Sequence, residues 1–129
     1  MPNDKIRVVH YLNQFFGQIG GEDKASTGFV VKEGPVGPGM ALQKEFGDKA
    51  EVVATLICGD NFFSANPEEN AEEGAQMIEK YHPDILIAGP AFSSGRYGVS
   101  CGAICKRCDD RFGIPAITGL YEELSLIHI

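Results

Sequence analysis

A chain of 129 residues, 43% hydrophobic and 22% charged, has the balance of one ordinary globular domain or a piece of one. Its net charge of −7 at pH 7 argues against a nucleic-acid or anionic-membrane surface, since both need clustered Lys and Arg. No apolar run approaches a membrane span, and the start MPNDKIRVV lacks the apolar core of a signal peptide, so the expected location is cytoplasmic. Of the four cysteines, three fall within eight residues of one another, which favours reduced thiols over a disulfide framework.

In chain order, Ile6–Leu12 (IRVVHYL) reads as a strand rich in β-branched and aromatic residues. Asn13–Gly39 follows with seven glycines and two prolines and is expected to be a long functional or disordered connection. Pro38 suits the first position of a helix whose apolar side is Met40, Ala41, Leu42 and Phe46, with Gly47 as the stop. Glu51–Cys58 (EVVATLIC) is a second strand, broken by Gly59-Asp60. Asn66-Pro67-Glu68-Glu69 is a helix start, with a capping side chain, proline at the first turn and two acids near the positive end of the dipole. Ala71, Gly74, Ala75 and Ile78 then repeat at helical spacing, and the acidic run beside them reads as a solvated face.

Ile85–Ala88 is a third, buried strand, expected to end at Gly89-Pro90 because proline has no N–H for a ladder. A loop Ala91–Gly98 and a helix of small residues follow, then Phe112-Gly113 and a fourth strand at Ile114–Thr118. The fold expected is α/β: a doubly wound, mostly parallel sheet of about four strands with helices on both faces, a truncated flavodoxin-like half spanning residues 1–123. Leu124–Ile129 (LSLIHI) follows with no turn signal, and its codons match a transposon end used in sequencing-library preparation; it is expected to be translated adapter.

In a parallel sheet, the loops that leave strand C-termini share one edge, where ligands bind. Here they carry Asn13-Gln14-Phe15-Phe16, Gly59-Asp60-Asn61-Phe62, Ala91–Gly98 and Gly119–Glu123. Arg96, in a glycine-rich loop before a helix N-terminus, suits bidentate binding of a carboxylate or phosphate, or a surface ion pair. Ser93 and Ser94 offer hydroxyls in the same loop, and Tyr97 lies beside Arg96. Glu22 and Asp60 could face a cationic amine at this edge or cap their turns.

Other motifs are weaker. Cys101, Cys105 and Cys108 have the spacing of the iron–sulfur motif in radical S-adenosylmethionine enzymes, yet they share one helical face with Ile104 and Phe112. They are expected to pack as small hydrophobes and to hold no metal. Cys58 is expected to be buried, His10 to be a satisfied core histidine, and His82 lacks partners at metal spacing. The glycine runs match no phosphate-binding fingerprint. A flavodoxin-like module for a flavin or nucleotide is the alternative.

Tyr11–Lys24 (YLNQFFGQIGGEDK), Glu33–Gly39 (EGPVGPG), Ile57–Phe62 (ICGDNF), Ala88–Phe92 (AGPAF), Gly95–Gly98, Cys101–Lys106 (CGAICK) and Tyr121-Glu122-Glu123 together resemble one family. It is the N-terminal part of the selenoprotein subunit of component B in glycine, sarcosine and betaine reductases. The resemblance implies an oxidoreductase of anaerobic amino-acid fermentation. A pyruvoyl carbonyl on a partner subunit of component B activates the amine as a Schiff base, except in betaine, where none can form. A selenocysteine downstream of this fragment then attacks the α-carbon. The carboxymethyl group passes to selenoprotein A, and component C forms acetyl phosphate. The fragment, lacking the selenocysteine and binding no cofactor itself, is expected to be inactive alone. On this resemblance Arg96, with Ser93, Ser94 and helix N–H groups, is expected to hold the shared substrate carboxylate. Asp60 or Glu22 would lie nearer the amine, and Asn13, Asn61 and Tyr97 would complete the site.

Overall fold

The computed structural model describes residues 5–91 and 96–120. Five strands form one sheet: β1 (Ile6–Asn13), β2 (Val30–Glu33), β3 (Ala50–Cys58), β4 (Ile85–Ala91) and β5 (Ala116–Leu120). They lie in the order β2-β3-β1-β4-β5, and every pairing is parallel except that of β2 with β3. Four helices accompany them: α1 (Pro38–Phe46), α2 (Asp60–Ala65), α3 (Pro67–Glu79) and α4 (Arg96–Phe112).

The period-2 alternation of the strands divides the core in two, with a bulge in β3 at Val53, opposite Val8 and Val9, exchanging that strand's faces between Val52 and Leu56. Val9, Tyr11, Leu56, Leu86 and Ala88 pack with Phe63 of α2, Ala71, Ala75 and Ile78 of α3, and Ile104 of α4. Val8, Ala50 and Val52 pack on the other face, with Phe46 of α1. The step from β1 to β3 runs one way across the sheet and the steps from β3 to β4 and β4 to β5 run the other. With right-handed crossovers, opposite steps put their helices on opposite faces. The doubly wound α/β expectation therefore holds in its main lines.

Several boundaries differ from expectation. Among the described residues there are five strands rather than about four, because the supposed long connection 13–39 contains β2 and a 3-10 turn, Glu22–Lys24. β2 has four residues and no fully buried side chain, so no alternating apolar pattern announces it. β4 runs past Gly89-Pro90 to Ala91, with the ladder to β5 broken between Ala88 and Ala91. Pro90 occupies that break, where no N–H is needed, and Gly89 takes φ +115° to make the detour. The last strand is Ala116–Leu120, not Ile114–Thr118. Asp60 and Asn61 open α2 rather than a loop, and Arg96, Tyr97 and Gly98 lie in the first turn of α4. Asn66 makes no side-chain cap; joining α2 directly to α3, its backbone N–H closes on the Phe63 carbonyl. Residues 121–129, including the expected adapter, lie outside the described residues.

α4 buries Tyr97, Ser100, Cys101, Ile104, Cys105 and Cys108, one stripe at helical spacing. The three cysteines share that packed face, as expected. Burial pushes the thiols of Cys58, Cys105 and Cys108 up to about 12, and that of Cys101 further still. Among the described residues, no group of three His, Cys, Asp or Glu side chains is placed to hold a metal ion. The outer surface of α3 is not wholly a solvated acidic face. Glu72 accepts Arg107 and Arg111 of α4 at 2.9 Å each and ties the two helices together.

The segment after the 3-10 turn is clamped to the start of α2 by backbone hydrogen bonds. Gly59 N–H donates to Thr27 O at 2.8 Å, and Asn61 and Phe62 N–H to Ala25 O at 2.8 and 3.1 Å. A Cβ on Gly59 would lie 2.3 Å from Ala25 O and 2.7 Å from Thr27 O. Backbone oxygens cannot give way as a side chain can, so Gly59→Ala should destabilise by about 1–3 kcal/mol in denaturant unfolding. Gly102, mid-helix with nothing near its missing Cβ, supplies the control: Gly102→Ala should stabilise by about 0.5–1 kcal/mol. Thiol titration of the native protein at pH 8 should find the four cysteines of residues 1–123 unreactive, and denaturant should release all of them.

Candidate functional site

β1 and β4 are neighbours whose onward connections leave toward opposite faces of the sheet, which opens a crevice beyond their C-terminal ends. Asn13 ends β1 there. Its Oδ1 accepts the N–H groups of Phe15 and Phe16 at 3.1 and 2.9 Å, an Asx turn that bends the chain off the strand. Its Nδ2 donates to Asp60 Oδ2 at 3.1 Å. Gln14 Oε1 accepts the Asp60 backbone N–H at 3.0 Å. Two consecutive side-chain amides, at the last residue of β1 and the one after it, thus seat the first residue of α2. Gln14 is absent from the site read in the sequence; its only signal was the polar pair Asn-Gln directly after a strand.

Asp60 is buried, and its Oδ1 has no hydrogen-bond partner among the described residues. Desolvation raises its pKa from the ordinary aspartate value, against the opposing effects of the Asn13 bond and the Arg96 charge. A buried, half-satisfied carboxylate is costly unless a cationic or hydrogen-bond-donating group completes it.

Arg96 stands at the start of α4, across the crevice. Its Nη2 meets Glu22 Oε2 at 2.8 Å and Oε1 at 3.0 Å, and its Nη1 donates to Asn61 Oδ1. The clamp of residues 25–27 on α2 is what brings Glu22 within reach. This ion pair is open to water, with side chains 42% and 72% exposed, so solvent screening leaves it weak and exchangeable. The surface-pair reading of Arg96 therefore describes this state of the protein, while its fork remains accessible to a competing carboxylate.

Asn13, Glu22, Asp60, Asn61 and Arg96, five of the eight residues read as a site, thus converge at one edge. Tyr97 sits beneath them. It is buried against Phe16, ring centroids 5.7 Å apart, with its hydroxyl unpartnered among the described residues. Ser93 and Ser94 lie outside the described residues. His10 is a buried histidine whose Nε2 bonds the Gly89 carbonyl, so that nitrogen carries the proton. Its burial lowers its pKa and keeps it neutral. It joins β1 to β4 just below the crevice, and its Nδ1 has no hydrogen-bond partner among the described residues. Chemically, the edge presents a weakly engaged cation, a nearby exposed carboxylate and a deeper carboxylate with a donor on one oxygen and none on the other among the described residues.

No helix among the described residues is long and apolar enough to cross a membrane. Residues 5–127 match the family described as glycine/sarcosine/betaine reductase selenoprotein B (GRDB). The glycine reductase complex component B subunit gamma of Carboxydothermus hydrogenoformans is 57% identical over 119 residues, 92% of this chain and 27% of that protein. The sarcosine reductase complex component B subunit beta of Peptoclostridium acidaminophilum is 51% identical, with 92% and 27% covered. The betaine reductase complex component B subunit beta of the same organism is 44% identical, with 91% and 26% covered. The chain spans about a quarter of the length of these curated relatives. No solved structure matches it. The chain belongs to the glycine/sarcosine/betaine reductase selenoprotein B family and corresponds to the N-terminal part of its members.

Proposed function

We propose that these residues are the substrate-binding part of a component B subunit in a cytoplasmic reductase complex that cleaves the amine from glycine, sarcosine or betaine. The observation that carries this reading is the placement of Arg96 and Asp60 at one crevice, the first engaged only by a solvent-open ion pair with Glu22 and a bond to Asn61, the second lacking a donor on Oδ1 among the described residues. All three substrates are small zwitterions, and a cation beside an unsatisfied carboxylate is complementary to such a molecule. The substrate carboxylate would displace Glu22 from the Arg96 fork, with Asn61 holding the guanidinium in place. The amine would lie toward Asp60, whose position Asn13 and Gln14 set. Ser93 and Ser94 would add hydroxyls from the preceding loop.

The bond-breaking chemistry implied for the family, a selenocysteine and a partner subunit's pyruvoyl carbonyl, lies outside these residues. Their own contribution would be to bind the substrate, orient it by its two charges and keep the amine end at a fixed depth. By themselves they would be inactive. Selenoprotein A and component C would act on the product downstream. The order of the parallel strands, β3-β1-β4-β5, is that of the first four strands of a flavodoxin-like sheet, which supports that fold assignment. The flavin or nucleotide alternative gains nothing from the relatives.

Two measurements on the assembled, full-length component test this reading. Arg96→Ala should weaken substrate binding roughly 10- to 150-fold, the usual worth of a charged hydrogen bond, and Arg96→Lys should recover only part of it. An Arg96→Ala complex that assembles and binds substrate normally would leave Arg96 as a surface residue. The second concerns pH. An ammonium needs Asp60 ionised, and burial raises the Asp60 pKa from the ordinary aspartate value. Affinity should therefore fall as pH drops through that raised pKa, and protons should be released when substrate binds at that pH. Asp60→Asn should flatten this acidic limb; a limb unchanged in that variant would remove Asp60 from the amine site.

A further inference from the structure

The two faces of the sheet are covered unequally. On one side α2, α3 and α4 seal β1, β3 and β4. On the other, α1 packs on β3 and covers Val8, Ala50 and Val52, and no described element extends that layer over β4 and β5. Ile87 of β4 and Ile117 of β5 are register partners, so both point to the α1 side. Ile85, two residues before Ile87, shares that face and packs on the Val8 cluster. Ile6 precedes Val8 by two residues on β1 and shares it as well. Ile85 and Ile87 are half-buried, and Ile6 and Ile117 are each 49% exposed. Four isoleucines on three adjacent strands therefore form one open apolar strip. Parallel sheets occur almost only with both faces covered, and a strip of β-branched residues beside the outer edge of β5, which pairs with no further strand among the described residues, is an association hazard.

The connectivity explains the gap. Steps toward the β5 edge lay their helices on the α3–α4 side, and only the reverse step from β1 to β3 lays one on the α1 side. A chain that simply walked outward from β5 would cover the wrong face again. Something must fold back. About three quarters of each relative lies beyond the N-terminal part matched here, and β5, the last described element, borders the strip. We propose that the C-terminal remainder of the family's chain folds back across the α1 side of this sheet. It would lay an apolar surface on Ile6, Ile85, Ile87 and Ile117 and complete the layer that α1 begins. The strip is thus an intrachain interface of the full-length subunit rather than a docking face for another molecule.

The test uses the purified full-length subunit, free of other components, carrying Ile117→Cys or, separately, Ile6→Cys. Each is compared with Met40→Cys on the outer side of α1, where the side chain is 63% exposed. Maleimide labelling is read by mass spectrometry on the peptide concerned. Both strip variants should label at least about tenfold more slowly than the Met40→Cys control, as expected for a site that reacts only on local opening. Labelling of both at the control rate would overturn the proposal. So would protection that rises with protein concentration, the mark of a second copy, or protection that appears only when other components are added. If Ile117→Cys fails to fold, Ile6→Cys carries the same comparison.

Discussion

A parallel sheet delivers the C-terminal ends of its strands to one edge, and this constraint decides where chemistry can gather in the protein. The pairings of β1 with β3 and β4, and of β4 with β5, set Asn13, Asp60 and Arg96 at that edge although they are far apart in sequence. The alternating faces then dispose of everything else. Apolar side chains on one face meet α2, α3 and α4, those on the other meet α1, and the polar residues left over cap strand ends.

Within the edge, burial separates the roles of like charges. Glu22 and Arg96 meet in water, where their attraction is screened and easily exchanged for another partner. Asp60 is held out of water by Asn13 and Gln14, and one of its oxygens goes unmatched. Such a group stores a demand for a donor, and pockets that bind small charged molecules are built from a few convergent polar groups of this kind. The same edge also leans on Gly59, where two backbone segments come too close for any side chain. Position and charge are thus set by different elements: β1 for Asp60, α4 for Arg96, and the clamped 22–27 segment for Glu22.

The three cysteines of α4 show how spacing alone misleads. Their separation fits a cluster motif, but on a helix it also places all three on the buried side, beside Ile104 and facing α3 and the sheet. Desolvation then keeps the sulfurs protonated, and a protonated thiol is neither a nucleophile nor a ligand. Ile104 fits there because position 74 of α3 has no side chain to meet it.

What the sequence determined by itself was local and periodic. Apolar runs marked β1, β3 and β4, Pro38 and Gly47 bracketed α1 to the residue, and the spacing of Ala71, Gly74, Ala75 and Ile78 marked the packed side of α3. The parallel order of these strands sufficed to name the edge and five residues that meet there. The tertiary structure alone decided the rest, because each outcome depends on partners distant in sequence. β2 exists only because β3 offers it an edge, since four half-exposed residues carry no pattern of their own. β4 outlasts its proline because β5 tolerates a break in the ladder. Gln14 matters because α2 begins beside it, and the Arg96 fork is engaged because a backbone clamp brings Glu22 across from the other side of the crevice. Local propensity is written along the chain, whereas burial and pairing are properties of segments that meet only when it folds.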